Sequence, residues 1–309
     1  MSRLPSLTSL SYFEVAARTR SFAAAAKELS VTPAAISHQI KALEEYLGVE
    51  LFVRHHRRVS LTPAAREALP ELHEGFQALE HAVDRIRSYG QERLIVTVCA
   101  EPLFATKWIV PRLHRFYAVC PDAEVRLQAS LQTVDRGRHS AFCVAELKRA
   151  GIDVSVRLGY GNYADIEPQR LMGLKLIPMC APELASTVTG IDTLRQLPLL
   201  CDSTLSHSDE TCGWKEWFKQ QNSEIEALRE LRFGNGLLAQ EAAVAGQGVL
   251  LGIPDLHQAE LTAGKLQLVS DKPLICEQAY YVASAGPDQE RSIAGQFREW
   301  LLDEARKPA

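Results

Sequence analysis

Residues 22–64 read FAAAAKELSVTPAAISHQIKALEEYLGVELFVRHHRRVSLTPA, and this stretch decides the fold of the N-terminal part of the chain. Ser21 precedes an alanine-rich run whose apolar positions Phe22, Ala25, Ala26 and Leu29 recur at helical spacing, and its hydroxyl suits an N-cap. Thr32 caps the next helix, Pro33 takes the first helical position where a missing N–H is no loss, and Gly48 stops the helix after Leu47. Ile36, Ile40, Leu43 and Leu47, spaced 4, 3 and 4, form its buried stripe. Thr32, Pro33, Ala34 and Ala35 at its start, with Ser37, His38 and Lys41, are left on or near the other face, where small and donor-bearing side chains can enter a major groove. Residues 51–54 and 59–61 then read as two short strands around His55, His56, Arg57 and Arg58. This basic turn, with Arg54 beside it, suits phosphate or a minor groove. A preceding helix is predicted from Leu10, Phe13, Ala16 and Ala17, so residues 1–62 are expected to form an otherwise all-α winged helix-turn-helix domain for double-stranded DNA.

Thr62 and Pro63 repeat the cap-and-proline start and open a longer helix to about residue 89. Within it Leu69, Leu72, Phe76, Leu79, Val83 and Ile86 are spaced 3, 4, 3, 4 and 3, a heptad seam that predicts a dimerising linker helix over 63–90. Pro70 removes one backbone bond inside it. The alternative is a helix packed on its own domain.

Beyond residue 91 the pattern alternates. Strands are predicted at 94–99, 124–130, 153–158, 175–180, 199–201 and 248–253, and helices at 104–117, 141–150, 214–221 and 237–245. Such alternation implies α/β sheets covered on both faces, and Gly159 and Gly161 mark a crossover between two blocks.

Charge is unevenly distributed. The net charge is -4, yet residues 1–62 carry eight Lys/Arg against five Asp/Glu. A mildly basic head on an acidic body fits a DNA module attached to something else. No signal-peptide pattern opens the chain and no run approaches the roughly 18 apolar residues of a membrane span. A cytoplasmic protein without a membrane partner is expected. The seven cysteines are odd in number and widely spaced, with no CxxC, so reduced core thiols are expected rather than a disulfide framework or a metal. No HExxH, P-loop, GxGxxG or nucleophile elbow is present, and His114, His139, His207 and His257 are isolated. We therefore expect no enzyme and no cofactor.

Residues 22–64 closely resemble the DNA-binding segment of LysR-type transcription regulators. The likeness continues through KWIVPRLHRFYAVCPDAEVRLQ, DVSVRLGYG, LIPMCAPEL and AAVAGQGVLLGIPDL, and so covers nearly the whole chain. It is nearest to the subgroup of the glycine-cleavage and β-lactamase activators. The resemblance implies a homodimer-to-homotetramer that binds DNA, with RNA polymerase as a further partner. It also implies a two-lobed, periplasmic-binding-protein-like effector domain over 91–309, lobe I at about 91–163 with 268–309 and lobe II at about 164–267. The alternative from another class is a cytoplasmic solute receptor without DNA-binding function. Two departures stand out. Pro33 replaces the family's usual Gln, which removes a side-chain donor from the start of the recognition helix. The segment 132–150 is also longer than its counterparts.

Ligands of open α/β lobes bind at carboxyl ends of strands. The first such end is Ala100-Glu101-Pro102 and the second-lobe partner is Asn235-Gly236, with Gln132, Arg157 and Tyr160 as further candidates. The family turn carries hydroxyls where this chain has Glu101. That carboxylate either satisfies its own helix terminus or pairs with a cationic group on an effector such as an amino acid or amine.

Overall fold

The computed structural model describes residues 4–54, 59–87, 94–138, 140–205, 212–223, 229–284 and 292–307. Two compact units emerge, Met1–Gln91 and Glu92–Ala309.

The first unit comprises α1 (Leu7–Thr19), α2 (Phe22–Glu28), α3 (Pro33–Leu47), β1 (Phe52–Arg54), β2 (Val59–Leu61) and α4 (Pro63–Arg87). The expected caps form. Ser21 Oγ accepts from the Ala24 N–H at 3.3 Å, Thr32 Oγ1 from Ala35 at 3.2 Å and Thr62 Oγ1 from Ala65 at 3.3 Å. Gly48 ends α3 in the left-handed region at φ +70°, which a side chain would disfavour. Phe13, Ala16, Ala25, Ala26, Ile36, Ile40, Leu43 and Phe52 build the core, and Phe13 and Phe22 meet the Phe52 ring edge-on at 5.6 and 5.3 Å. Leu47 departs from the predicted stripe. It is 44% exposed, because it is the last helical residue and the chain turns away at Gly48. The wing tip, with His55, His56, Arg57 and Arg58, lies outside the described residues, as does the Arg54 side chain.

The seam of α4 divides. Leu69 and Leu72 pack against the core of their own unit, whereas Leu79, Val83 and Ile86 are 45%, 44% and 74% exposed. The first turns thus follow the own-domain alternative, and an apolar stripe extends beyond them. Pro70 lies inside the helix.

In the second unit the strands are β3 (Ile95–Ala100), β4 (Glu124–Ala129), β5 (Val154–Gly159), β6 (Gln169–Cys180), β7 (Leu199–Asp202), β8 (Glu230–Phe233), β9 (Val249–Gly252), β10 (Gln267–Leu268) and β11 (Leu274–Ser284). Their order is β4-β3-β5-β11-β6-β9-β7-β8, with β10 pairing β6. Two parallel triplets, β4-β3-β5 and β9-β7-β8, are joined by the long antiparallel pair β11 and β6. This is a two-lobed α/β architecture whose lobes share two strands. The helical run after β3 starts at Pro102, two residues before its predicted position, and contains a π turn at Ala105–Ile109 before Val110–Val119. The predicted helix at 141–150 contracts to Val144–Arg149. The strand expected at 175–180 begins at Gln169, and neither β11 nor the C-terminal helix Ile293–Arg306 was anticipated. β11 hides from a period-2 reading because Cys276, Glu277 and Gln278 fall where its register against β6 shifts between Ile275 and Ala279.

One cysteine expectation is overturned. Cys212 and Cys276 form a disulfide with their Cα atoms 5.7 Å apart, whereas Cys99, Cys120, Cys143, Cys180 and Cys201 are free. The partners are 64 residues apart in sequence, so no spacing rule announces the pair and only the fold brings them together. Among the described residues no helix is long and apolar enough to cross a membrane, and no cluster of His, Cys, Asp and Glu could hold a metal.

Candidate nucleic-acid interface and effector site

On α3 the buried side chains Ile36, Ile40 and Leu43 anchor the helix and so fix what the other face presents. Pro33, Ala34, His38 and Lys41 are exposed, and Ala35 and Ser37 are half-buried. Thr32 is exposed, but its hydroxyl accepts from the Ala35 amide. Ser21 is likewise engaged as the cap of α2. Both caps therefore set helix entry first, and an outward contact must come from the lone pair or proton left over. Lys41 Nζ lies 3.7 Å from Glu45 one turn on, an exposed pair too weak to withhold the ammonium from a phosphate.

The effector candidates fall into two groups. In the first, Glu101 follows the end of β3 and is 1% exposed. Its Oε1 accepts from the Leu103 amide at 3.0 Å and its Oε2 from the Phe104 amide at 2.9 Å, so the carboxylate caps its own helical run between buried Ala100 and half-buried Pro102. The Tyr280 hydroxyl donates to Oε2 at 3.3 Å. From the other triplet, Asp202 ends β7, its Oδ1 accepting from the Thr204 amide at 2.8 Å and hydroxyl at 2.7 Å. Gly236 closes the gap. A Cβ there would stand 2.7 Å from both Asp202 Oδ2 and Leu103 Cδ2, so any larger residue would push these two side-chain ends aside. Asn235 Oδ1 caps that helix by accepting from the Leu238 amide at 3.1 Å. Glu101, Asp202, Asn235, Gly236 and Tyr280 are thus brought to one place.

The second group centres on Asp135. Arg157 is buried against Asp135, with its Nε 3.1 Å from Oδ1 and a second contact through Nη2, which also donates to the Gln132 carbonyl at 3.1 Å. Its guanidinium carbon stands 3.8 Å from the centre of the Phe142 ring. Gln132 is exposed in a 3-10 turn capped by Ser130, and the Tyr160 ring stacks under Arg138 at 5.2 Å. These residues fasten the long 132–150 segment to the sheet. Asp202 and Tyr280 escaped the sequence reading. The strand-end rule could have found Asp202, since β7 runs one residue further than predicted, but nothing marked Tyr280.

Electrostatics separates the acids. Burial raises the Glu101 carboxyl to about 7; the Leu103 and Phe104 amides and the Tyr280 hydroxyl oppose the rise, and the charge of Asp202 adds to it. The Tyr280 hydroxyl is held well above the usual tyrosine range, chiefly by burial and then by Glu101 and Asp202, so it is a fixed donor. Unfolded, Glu101 titrates near 4.5. Between those values the folded chain keeps a proton that the unfolded chain has released. This contribution is therefore complete below pH 4.5 and is lost as pH rises through 7. Chemical denaturation from pH 4.5 to 8 should show stability falling by up to about 3 kcal/mol from this group, with a flatter profile in Glu101→Gln. An identical profile in the variant would place the titration elsewhere.

Comparison with known proteins gives this geometry its context. Residues 7–66 match the model of the bacterial regulatory helix-turn-helix protein, lysR family, and residues 90–306 match the LysR substrate binding domain. The glycine cleavage system transcriptional activator of Escherichia coli is 34% identical over 305 residues, 98% of this chain and 95% of that protein. The HTH-type transcriptional activator AmpR of Pseudomonas aeruginosa is 32% identical over 304 residues, covering 97% and 95%. The solved effector domain of that AmpR superposes with a TM-score of 0.58 at 27% identity, covering 69% of this chain and 96% of the domain. With both family models matched in order over residues 7–66 and 90–306, the chain belongs to the LysR family of DNA-binding transcriptional regulators.

Proposed function

We propose that this regulator responds to a small metabolite carrying a cationic amine, an amino acid or a simple amine, bound where Glu101 and Asp202 approach each other. The observation that carries this reading is the charge balance of the site. Two buried carboxyl groups converge there, and the charge acting on Glu101 is that of another acid rather than a cation. An ammonium between them would relieve the repulsion and favour the ionised form of Glu101, whereas a dicarboxylate would worsen it in a medium of low polarity. The Asn235 side-chain amide, beside the start of the helix Gly236–Val244, supplies donors for an anionic or polar end. Ala100 and Pro102 shape the wall, and Gln132, Arg157 and Tyr160 act through the fastened segment rather than by touching the ligand.

The lobes would divide at about 91–163 with 268–309 and 164–267, hinged on β6 and β11. Closure on a ligand would bias the assembly by its differential affinity, typically 1 to 3 kcal/mol. Residues 1–62 would read DNA through Ser37, His38 and Lys41, with Arg54, Arg57 and Arg58 on phosphate, and 63–90 would pair two chains into dimers that assemble as homotetramers. The protein would act in the cytoplasm and meet RNA polymerase at the promoter.

Calorimetry of the full-length protein against glycine, ethanolamine and succinate tests the ligand class. We expect the amine-bearing compounds to bind and Asp202→Asn to weaken them about 10- to 150-fold, the worth of one charged hydrogen bond. Succinate binding best, with amine affinity indifferent to Asp202→Asn, would overturn the proposal.

A further inference from the structure

The two strand triplets of the second unit are joined through β6 and β11, and side chains on the helices beside the strand ends bring them together again. Lys107 belongs to the helical run that follows β3, and Glu260 to the short helix Gln258–Thr262 that follows β9. They are 153 residues apart, one from each triplet, yet Lys107 Nζ donates to Glu260 Oε1 at 2.5 Å. Only 18% and 12% of the two side chains are exposed. The same oxygen accepts from Gln240 Nε2 at 3.2 Å, and Gln240 Oε1 stands 2.9 Å from His257 Nδ1, with Gln240 and His257 both 1% exposed.

The direction of these bonds is fixed from one end to the other. A carboxylate only accepts, so Gln240 turns its Nε2 to Glu260 and its Oε1 to His257, whose Nδ1 therefore carries the proton. Burial pushes the His257 imidazole down to about 4, the charge of Glu260 opposing the fall and that of Lys107 adding to it, so the ring is neutral near pH 7. β9 backs the ring, since a Cβ at Gly252 would lie 2.9 Å from its Cδ2 and Nε2. His257 and Gln240 are thus positioning residues that aim Glu260 at Lys107.

Two features suit a contact that opens. Glu260 Oε2 is buried with no hydrogen-bond partner among the described residues, so the pair as it stands leaves a polar atom unmet that water would satisfy on release. Lys107 is also the middle residue of the π turn Ala105–Ile109, a widened turn of the kind that concentrates at functional positions. The contact continues the two helical runs that start at the effector site. Lys107 lies three residues beyond Phe104, whose amide binds Glu101, and Gln240 lies one turn beyond Gly236 on the same helix face.

We propose that Lys107 and Glu260, aimed by Gln240 and His257, form a latch between the lobes that keeps the effector site assembled before a ligand arrives. Its bearing on the ligand rests on the effector-site reading above. With the pair made, the starts of the two helical runs face one small molecule together. With it released, the triplets turn about β6 and β11, and apparent affinity falls by the fraction of molecules still assembled. The charge acting on Glu101 is that of Asp202, so removing the Lys107 ammonium reaches the ligand through lobe geometry rather than through the field at Glu101.

Hydrogen exchange of the full-length protein without ligand tests the latch. Lys107→Met and Glu260→Gln, checked for folding by circular dichroism, should each speed exchange of the Leu103, Phe104 and Leu238 amides, donors to Glu101 and Asn235, at least fivefold. The double variant should add nothing to either, because the two side chains act as one contact. Should Lys107→Met fail to fold, Glu260→Gln, nearly the same in shape, carries the comparison. Unchanged exchange at these three amides, changes confined to residues 105–109 and 257–262, or additive effects would each overturn the proposal. In calorimetry glycine should bind Glu260→Gln at least fivefold more weakly than the unsubstituted protein, and equal affinity would overturn the latch's bearing on the ligand. Failure of glycine and ethanolamine to bind the unsubstituted protein would instead remove the effector-site reading, leaving the exchange result to judge the latch.

Discussion

Leu79→Glu combined with Val83→Glu is expected to lower affinity for duplex DNA from the protein's own promoter region by about a hundred- to ten-thousand-fold, the avidity lost when two linked DNA modules become one. The mass in sedimentation should fall to that of a smaller assembly in the same samples. Both side chains are nearly half exposed, and Ile86 is more so, yet they continue the spacing begun by Leu69 and Leu72. The earlier pair is held by its own unit's core, whereas the stripe beyond it is left half exposed or more among the described residues, which fits a second copy. Because the substituted positions lie outside the buried core of their own unit, the thermal midpoint of a monomeric sample should move little. Unchanged mass and DNA affinity would show that α4 is not the seam, and a collapse of the midpoint would show that it packs on its own fold.

The second large effect concerns Asp135. Its Oδ1 accepts from Arg157 and from the Ser140 hydroxyl at 2.9 Å, and its Oδ2 from the Tyr163 hydroxyl at 2.7 Å. Burial and the charge of Asp135 hold that Tyr163 hydroxyl far above the usual range, so it donates at any working pH. Asp135→Ala leaves a buried guanidinium without its carboxylate, beside the Gln132 carbonyl and the Phe142 and Tyr163 rings. The expected cost is about 3 to 5 kcal/mol in chemical denaturation, since removing one member of a buried pair strands the other. Pairing it with Arg157→Met should recover most of that loss, because an apolar replacement of similar volume removes the stranded charge. If the double variant is no better than the single one, the aromatic and backbone contacts, rather than the charge, carry the stability.

The same cluster shows where sequence reasoning stopped. Gly159 was read as a crossover between blocks, and it does end β5. Its further role is clearance, because a Cβ there would lie 2.2 Å from Asp135 Oδ2. No periodicity could reveal this, since the two residues are 24 positions apart. Arg157, a strand residue offered as a further effector candidate, is paired with Asp135 on the long segment, a partner 22 positions away that spacing does not announce.

What the sequence by itself determined is local. Ser21, Thr32, Thr62, Pro33 and Gly48 mark helix boundaries because capping is decided within one turn of chain, and Ile36, Ile40 and Leu43 are buried because their spacing leaves them one face. The carboxyl-end rule placed Glu101 and Asn235 correctly at the starts of two helices. Only the tertiary structure decided what those residues face. The Glu101 oxygens turn to their own helix, Asp202 and Tyr280 arrive from strands 101 and 179 residues away, and Cys212 meets Cys276 across the sheet. The division of the α4 seam is of the same kind, because spacing gives a stripe and only packing says which half is already covered. Periodicity and capping are read over a few residues, whereas charge pairing, close approach and cross-linking depend on which strands the topology sets side by side.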